Sequence, residues 1–243
     1  MATNKILVKS GGLPWPKLYR GTLVKRYKRF LADVQLDNGS LVTAHCPNSG
    51  TMRACSAPGR PVYLSFHDNP KRKLKYTWEL IHMPDSLVGV NTLVPNRLVK
   101  QAVEDGQVKA LKGYDRVRAE VKTSDGSRLD LMLEKDGKSD CFVEIKNCTL
   151  VEGCVARFPD AVTARGRKHL VELQRLVSEG NRGVMFFLIQ RMDADSFSPA
   201  DDIDPVYGQE LRKAHQNGVD ILVYDVSIDL TNIQLSRQIP FFL

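Results

Sequence analysis

Asp130, Glu144 and Lys146 are the residues whose types and spacing can do chemistry in this chain. Glu144 and Lys146 stand two apart in Cys141-Phe142-Val143-Glu144-Ile145-Lys146-Asn147, an otherwise apolar run that reads as a strand, so both side chains leave one face. Charge placed there is costly unless it is paired or binds an ion. Ser127-Arg128-Leu129-Asp130-Leu131, just upstream, supplies a second carboxylate from a neighbouring strand. Two carboxylates can hold a divalent cation while a lysine orients water or stabilises developing charge, which is equipment for hydrolysing a phosphodiester. Mg2+ or Mn2+ is the expected cation, because substrate phosphate and water complete its shell, and no organic cofactor is called for. Glu120, on the preceding strand, joins the three as a catalytic candidate, with Glu104 on the preceding helix as the other possible source of a further carboxylate. The competing reading is an inert cluster, Glu144 with Lys146 and Asp130 with Arg128, used only for binding. Whether the chain is an enzyme therefore stays open at this point.

The elements that must position these residues lie in residues 87–243. A helix is expected over 98–106, then strands over 116–122, 129–134 and 140–147, separated by the turn words Ser124-Asp125-Gly126 and Lys135-Asp136-Gly137-Lys138. A helix over 163–179 carries the stripe Leu170, Leu173, Leu176 and Val177 and stops at Gly180. An almost wholly apolar strand over 183–190, a helix over 205–216 and strands over 219–226 and 232–239 complete a mixed α/β sheet flanked by helices. Arg157, Arg165, Arg167, Lys168 and His169 gather after the third strand and into the next helix. Cations at a helix N-terminus oppose its dipole, which favours a phosphate track for Arg165, Arg167 and Lys168; Arg128 is a phosphate clamp or an ion-pair partner. His169 reads as a packed or surface histidine ahead of a catalytic base. Asp193, Asp195, Asp201, Asp202 and Asp204 read as a solvated acidic loop ahead of a calcium site.

Residues 17–86 have a different character. Strands are expected over 19–26, 30–36, 40–45, 61–67 and 74–82, with Asp37-Asn38-Gly39 as a hairpin turn and no helix. Five short strands suit a small closed barrel of the oligonucleotide-binding type. Residues 1–16 form a lead segment ending in the turn-rich Gly11-Gly12-Leu13-Pro14-Trp15-Pro16. Charge is lopsided: the first 86 residues hold fourteen Lys and Arg against five Asp and Glu, a net +9, whereas the remainder is −2. A polyanion partner follows, DNA first and RNA second. Lys25, Arg26, Lys28 and Arg29 interleave with Tyr27 and Phe30, and Lys71, Arg72, Lys73 and Lys75 run up to Tyr76 and Trp78. The cations are expected on phosphates; the aromatics are expected in the barrel core slightly ahead of base stacking.

With 243 residues, of which 42% are hydrophobic, the chain can bury a sizeable core. No apolar run reaches membrane-spanning length and the start lacks a signal peptide, so a cytoplasmic protein without a membrane partner is expected. Five cysteines without a CxxC pair argue against disulfides and zinc. Asp130 followed by Glu144-Ile145-Lys146 resembles the core pattern of the restriction-endonuclease-like, or PD-(D/E)XK, superfamily. The longer words Ser127-Arg128-Leu129-Asp130, Val143-Glu144-Ile145-Lys146-Asn147-Cys148-Thr149-Leu150, residues 158–170 and His45-Cys46-Pro47-Asn48-Ser49-Gly50 resemble the bacterial sugar fermentation stimulation protein A family from about residue 19 to the end. The resemblance implies an oligonucleotide-binding barrel, a nuclease-like second domain, non-specific DNA binding and a regulatory role in maltose metabolism. A Mg2+-dependent nuclease cutting at the Asp and Glu-x-Lys site is the alternative function.

Overall fold

The structure, a computed structural model, describes residues 11–124 and 127–243. β1 (Leu13–Pro14) precedes the barrel strands β2 (Leu18–Tyr27), β3 (Leu31–Leu36), β4 (Leu41–His45), β5 (Pro61–Phe66) and β6 (Tyr76–His82), and β7 (Leu87–Gly89) follows them. Alternation along these strands turns Leu23, Val34, Val62, Leu64 and Ile81 into one core. β2 pairs antiparallel with β3 and β5, β3 with β4, and β5 with β6. A parallel contact between β4 and β6 closes the five strands, as expected, into a barrel without a free edge at the seam. β7, placed by sequence in the second domain, pairs with β6.

The turns and aromatics differ from one another in legibility. Gly39, at φ +84°, donates to the Leu36 carbonyl at 2.8 Å and makes the predicted hairpin. The β2–β3 turn instead sets Lys28 at φ +46° and Arg29 at φ +63°, a left-handed backbone that glycine or asparagine would adopt at lower cost. Trp78 is fully buried and its Nε1 donates to the Leu80 carbonyl at 2.9 Å. Tyr27 is half-buried, with its hydroxyl 3.1 Å from Asp33. Phe30 is 45% exposed at the tip of that left-handed turn, so the core reading of this ring is corrected.

The second unit runs α1 (Val94–Glu104), β8 (Arg116–Ser124), β9 (Ser127–Lys135), β10 (Lys138–Cys148), β11 (Leu150–Glu152), β12 (Val155–Phe158), α2 (Ala164–Ser178), β13 (Arg182–Ile189), β14 (Ser196–Pro199), α3 (Pro205–Gln216), β15 (Asp220–Ile228) and β16 (Asn232–Gln238). Residues 125 and 126 of the predicted β8–β9 turn lie outside the described residues, as do residues 1–10 of the lead. The sheet order is β1-β16-β15-β13-β10-β9-β8, parallel through β10, β13 and β15 and antiparallel elsewhere. Leu170 and Leu173 of α2 and Leu211 of α3 cover one face with Phe187 and Val223; Leu98 and Val99 of α1 cover the other with Val143 and Phe186.

Both helices on the first face start on side-chain caps. The Thr163 hydroxyl accepts the Gly166 N–H, and the Asp204 carboxylate accepts the Tyr207 N–H. The acidic loop is tied down: Asp193 pairs with Arg191, Asp195 with Arg237, Asp201 with Arg212 and Asp202 with Arg157. Asp195, Asp201 and Asp202 remain solvated as expected, at 71%, 44% and 54% exposure, each with an arginine beside it. Among the described residues no helix is long and apolar enough to cross a membrane.

Candidate functional site

Pairing between β9 and β10 runs to Leu131–Val143, and Asp130 stands just past the last pair. There the Ile145 N–H would lack a ladder partner, and the Asp130 carboxylate accepts it, Oδ2 at 2.7 Å. Asn96, on the first turns of α1, donates to the other oxygen at 2.7 Å. Burial, and then the charge of Glu144, push the Asp130 carboxyl up to about 7; the Ile145 N–H, Lys146 and Asn96 pull it down without cancelling that rise. Asp130 and Glu144 are therefore close enough to repel in a desolvated setting, which is the condition a divalent cation relieves.

Glu144 is 3% exposed on the α2 side of β10. Its Oε1 accepts Lys146 Nζ at 2.6 Å and is met by Nδ1 of His169 from α2. Burial alone would raise Glu144, but Lys146 and the His169 ring outweigh it and hold the carboxyl below its usual range. His169 Nδ1 faces both the Glu144 carboxylate and, at 3.1 Å, Lys146 Nζ, while Arg165 Nε lies 3.5 Å from Nε2 on the other side of the ring. Glu144 Oε2 is buried with no hydrogen-bond partner. An orphaned carboxylate oxygen beside a second, charge-frustrated carboxylate fits a hard divalent cation. Among the described residues no group of three or more His, Cys, Asp and Glu is arranged for a metal, so phosphate and water would have to complete the shell.

The structure brings Asp130, Glu144 and Lys146 together as expected from the sequence. Glu120 falls between the paired positions Ala119–Leu131 and Val121–Leu129, hence across from Asp130, with φ +55°. Its carboxylate, however, is 58% exposed and salt-bridged to Arg128 at 3.4 Å. Glu120 is thus a partner of Arg128, and its place with the two buried carboxylates is corrected. Glu104 pairs with Lys100 along α1, so neither further glutamate completes the site. Two residues of the site carry no chemical assignment from the sequence: His169 reads there as a packed or surface histidine, and Asn96 has no reading. His169 was legible in part, since Gly166, His169, Leu170, Leu173 and Leu176 share the spacing of the buried stripe; nothing local marks Asn96.

The basic residues divide by partner. Lys28, Arg29, Lys71 and Lys73 are exposed, and among the described residues none of their side chains has an ion-pair partner. Lys25 is shared between Asp33, at 3.6 Å, and the Tyr27 ring; Lys75 pairs with Asp68 at 3.0 Å, and Arg72 donates to Thr77 at 2.8 Å. Arg167 and Lys168 lie on α2 beside a shallow cavity with Ser127 and Val171. Arg26 is different: its Nε, Nη1 and Nη2 donate to the carbonyls of Arg29, Thr51, Asn48 and Gly50 at 2.9–3.0 Å. Its place on phosphate is corrected, because the guanidinium has become a clamp for the loop 45–52. Arg26→Met is expected to lower urea stability by about 2–3 kcal/mol while leaving the salt slope of DNA binding unchanged. A slope lower by about one unit would instead return Arg26 to the phosphates.

That loop meets the second domain at a cavity of about 370 Å3, whose wall includes Arg29, Asn48 and Gly50 from the barrel and Asn147, Thr149 and Thr163 beyond it. Asp160 seals the seam, accepting the Met52 N–H at 3.0 Å and the Thr51 hydroxyl. Asn147, which shares this cavity with the clamped loop, directly follows Lys146 on β10.

Residues 93–232 match the family profile described as the sugar fermentation stimulation protein RE domain, and residues 24–90 match the SfsA N-terminal OB domain. A sugar fermentation stimulation protein homolog of Geobacter sulfurreducens is 54% identical over 228 residues, covering 94% of this chain and 97% of that protein. Its counterpart in Geobacter metallireducens is 54% identical over 232 residues, covering 95% and 99%. The fold is also similar to a solved structure titled as Pyrococcus furiosus SfsA in complex with Ca2+, with a TM-score of 0.87 at 23% identity, covering 95% of this chain and 98% of that one.

Proposed function

Since the chain belongs to the sugar fermentation stimulation protein family, we propose that it serves sugar metabolism, maltose use included, as a DNA-binding protein with little sequence preference. The observation that carries this reading is the net +9 of the first 86 residues, displayed in part by Lys28, Arg29, Lys71 and Lys73, whose side chains are exposed and unpaired among the described residues. Such cations displace counterions from a phosphate backbone without reading bases. Affinity for duplex DNA is expected to fall steeply with salt, and Lys71→Ala with Lys73→Ala is expected to flatten the log–log slope by about 2. Fluorescence anisotropy on two unrelated duplexes measures both. An unchanged slope, or a strong preference for one duplex, counts against the reading.

The orphaned Glu144 oxygen supports a second activity on the same ligand, metal-dependent cleavage of the phosphodiester. Asp130 and Glu144 would hold Mg2+ or Mn2+, which when bound polarises a phosphoryl oxygen and acidifies water. Calcium, named with the Pyrococcus furiosus protein, is a hard cation of the same class. Ile145 N–H and Asn96 orient Asp130. His169 and Lys146 both occupy Oε1 of Glu144, which leaves Oε2 as the oxygen free to bind. Lys146, the cation nearest that carboxylate, contributes positive charge where negative charge develops during displacement. Incubation with DNA and RNA in Mg2+, Mn2+ or EDTA tests this activity.

A further inference from the structure

A second cavity, of about 430 Å3, is walled by the lead segment, the barrel and the start of α1. Glu79 of β6 lines it and is 5% exposed. Ser65 Oγ donates to Glu79 Oε1 at 2.6 Å and Asn91 Nδ2 donates to Oε2 at 2.7 Å. Both partners are neutral, and among the described residues Glu79 has no ion pair. A desolvated carboxylate without a countercharge is unfavourable, and each of its oxygens can accept one more donor.

Ser65, His67 and Glu79 also invite a hydrolytic reading, which the direction of their bonds excludes. The one hydroxyl proton of Ser65 goes to Glu79, so His67 Nε2, 3.1 Å away, must donate to the hydroxyl instead of accepting from it. Ser65 is not activated as a nucleophile.

The remaining wall is largely aliphatic and proline, and carries two guanidiniums, Arg72 and Arg97, and one indole, Trp15. Arg97 has no hydrogen-bond or ion-pair partner among the described residues, and Arg72 uses only Nη2, on Thr77. Trp15 is fixed before any ligand arrives: its Nε1 donates to the Asp229 carbonyl and its backbone N–H to the Thr231 carbonyl, each at 2.9 Å. A ligand matched to this cavity has a flat ring for Trp15, an anionic group for Arg72 and Arg97, and two adjacent N–H donors for the two Glu79 oxygens. Among nucleobases only guanine places two donors side by side, at N1 and N2. Adenine and cytosine set a ring acceptor beside the amino group, and uracil and thymine flank one N–H with two carbonyls.

We propose that this cavity binds a guanine nucleotide, its base edge on Glu79, its ring against Trp15 and its phosphate on Arg72 and Arg97. The site is separate from Asp130 and Glu144 and stands whether or not that pair cuts DNA.

Tryptophan emission reads the site directly, because the other of the two tryptophans, Trp78, is fully buried in the barrel. In EDTA, titration of the full chain with 5′-GMP is expected to quench emission saturably, and 5′-AMP is expected to bind about tenfold or more weakly. Glu79→Gln, close to isosteric, is expected to weaken GMP about tenfold or more. Should Glu79→Gln fail to fold by circular dichroism, Arg97→Ala at an exposed position takes its place: it must weaken GMP and leave guanosine unaffected. Asp130→Ala must bind GMP as the wild type does, which separates this test from the cleavage reading. A single-stranded oligonucleotide with a terminal unpaired guanine, compared with one ending in adenine, distinguishes a strand end from a free nucleotide as the source; competition from either guanine form supports the site. No saturable response to GMP by quenching or calorimetry, equal affinity for AMP and GMP, or a folded Glu79→Gln protein that binds GMP unchanged would overturn it.

Discussion

Mg2+-dependent cleavage of DNA is expected to fall by about a hundredfold or more in each of Asp130→Ala, Glu144→Gln and Lys146→Ala, while DNA binding in EDTA is retained. Glu144→Gln is the sharpest of the three. It preserves shape and an oxygen for Lys146, but removes the charge on the buried Oε2 that has no protein partner. Because the three residues act on one centre, the Asp130→Ala, Lys146→Ala double variant should be scarcely slower than either single change. Removing one member of the buried Glu144–Lys146 ion pair also costs stability, about 3–5 kcal/mol, so Glu144→Gln and Lys146→Ala need a melting curve below which activity is assayed. Wild-type protein that yields no product from single- or double-stranded DNA or RNA, with Mg2+ or Mn2+, would end the cleavage reading and leave DNA binding standing. Product that persists in Lys146→Ala would indicate a contaminating nuclease.

Lys146 and its two carboxylates were legible because charge on an apolar strand has few explanations and strand alternation fixes which side chains share a face. The barrel was legible for a similar reason, its Asp37-Asn38-Gly39 turn and alternating strands agreeing with one another. What failed depended on partners far away in the chain. Arg26 looked like any cation in a basic run, and only the fold brings the carbonyls of residues 48–51 to its guanidinium. Glu120 was a reasonable third carboxylate by register, yet its left-handed backbone and Arg128 account for its exposed position, and neither is written in local periodicity. The small sheet of β11, β12 and β14 was missed because strands of three or four residues carry too little alternation to be read. His169 lay in the buried stripe of α2, but its contact with Glu144 required knowing that α2 covers the face of β10 from which Glu144 projects.

Asp130→Asn is expected to stabilise the metal-free protein at pH 8. The Asp130 carboxyl is pushed up to about 7 in the folded protein from an ordinary 3.8, so the folded state binds that proton more tightly than the unfolded chain. Stability is therefore lost as pH rises from about 4 to about 7, and the full penalty is present above that window. Three pKa units correspond to about 4 kcal/mol, of which about 2–4 should be recovered by a neutral side chain. Asparagine suits the site: its oxygen can keep the Ile145 N–H, and a flip of the Asn96 amide turns an acceptor towards the new NH2 group. The melting temperature in EDTA at pH 8 should rise by roughly 5–15 °C, and the difference should shrink towards zero near pH 4, where both side chains are neutral. Millimolar Mg2+ should stabilise the wild type at pH 8 by neutralising the same repulsion, and should do so far less for Asp130→Asn. A variant less stable than wild type at pH 8 in EDTA, or a gain that does not change with pH, would show that Asp130 is comfortable as a carboxylate and that the pair is an ordinary structural cluster needing no cation.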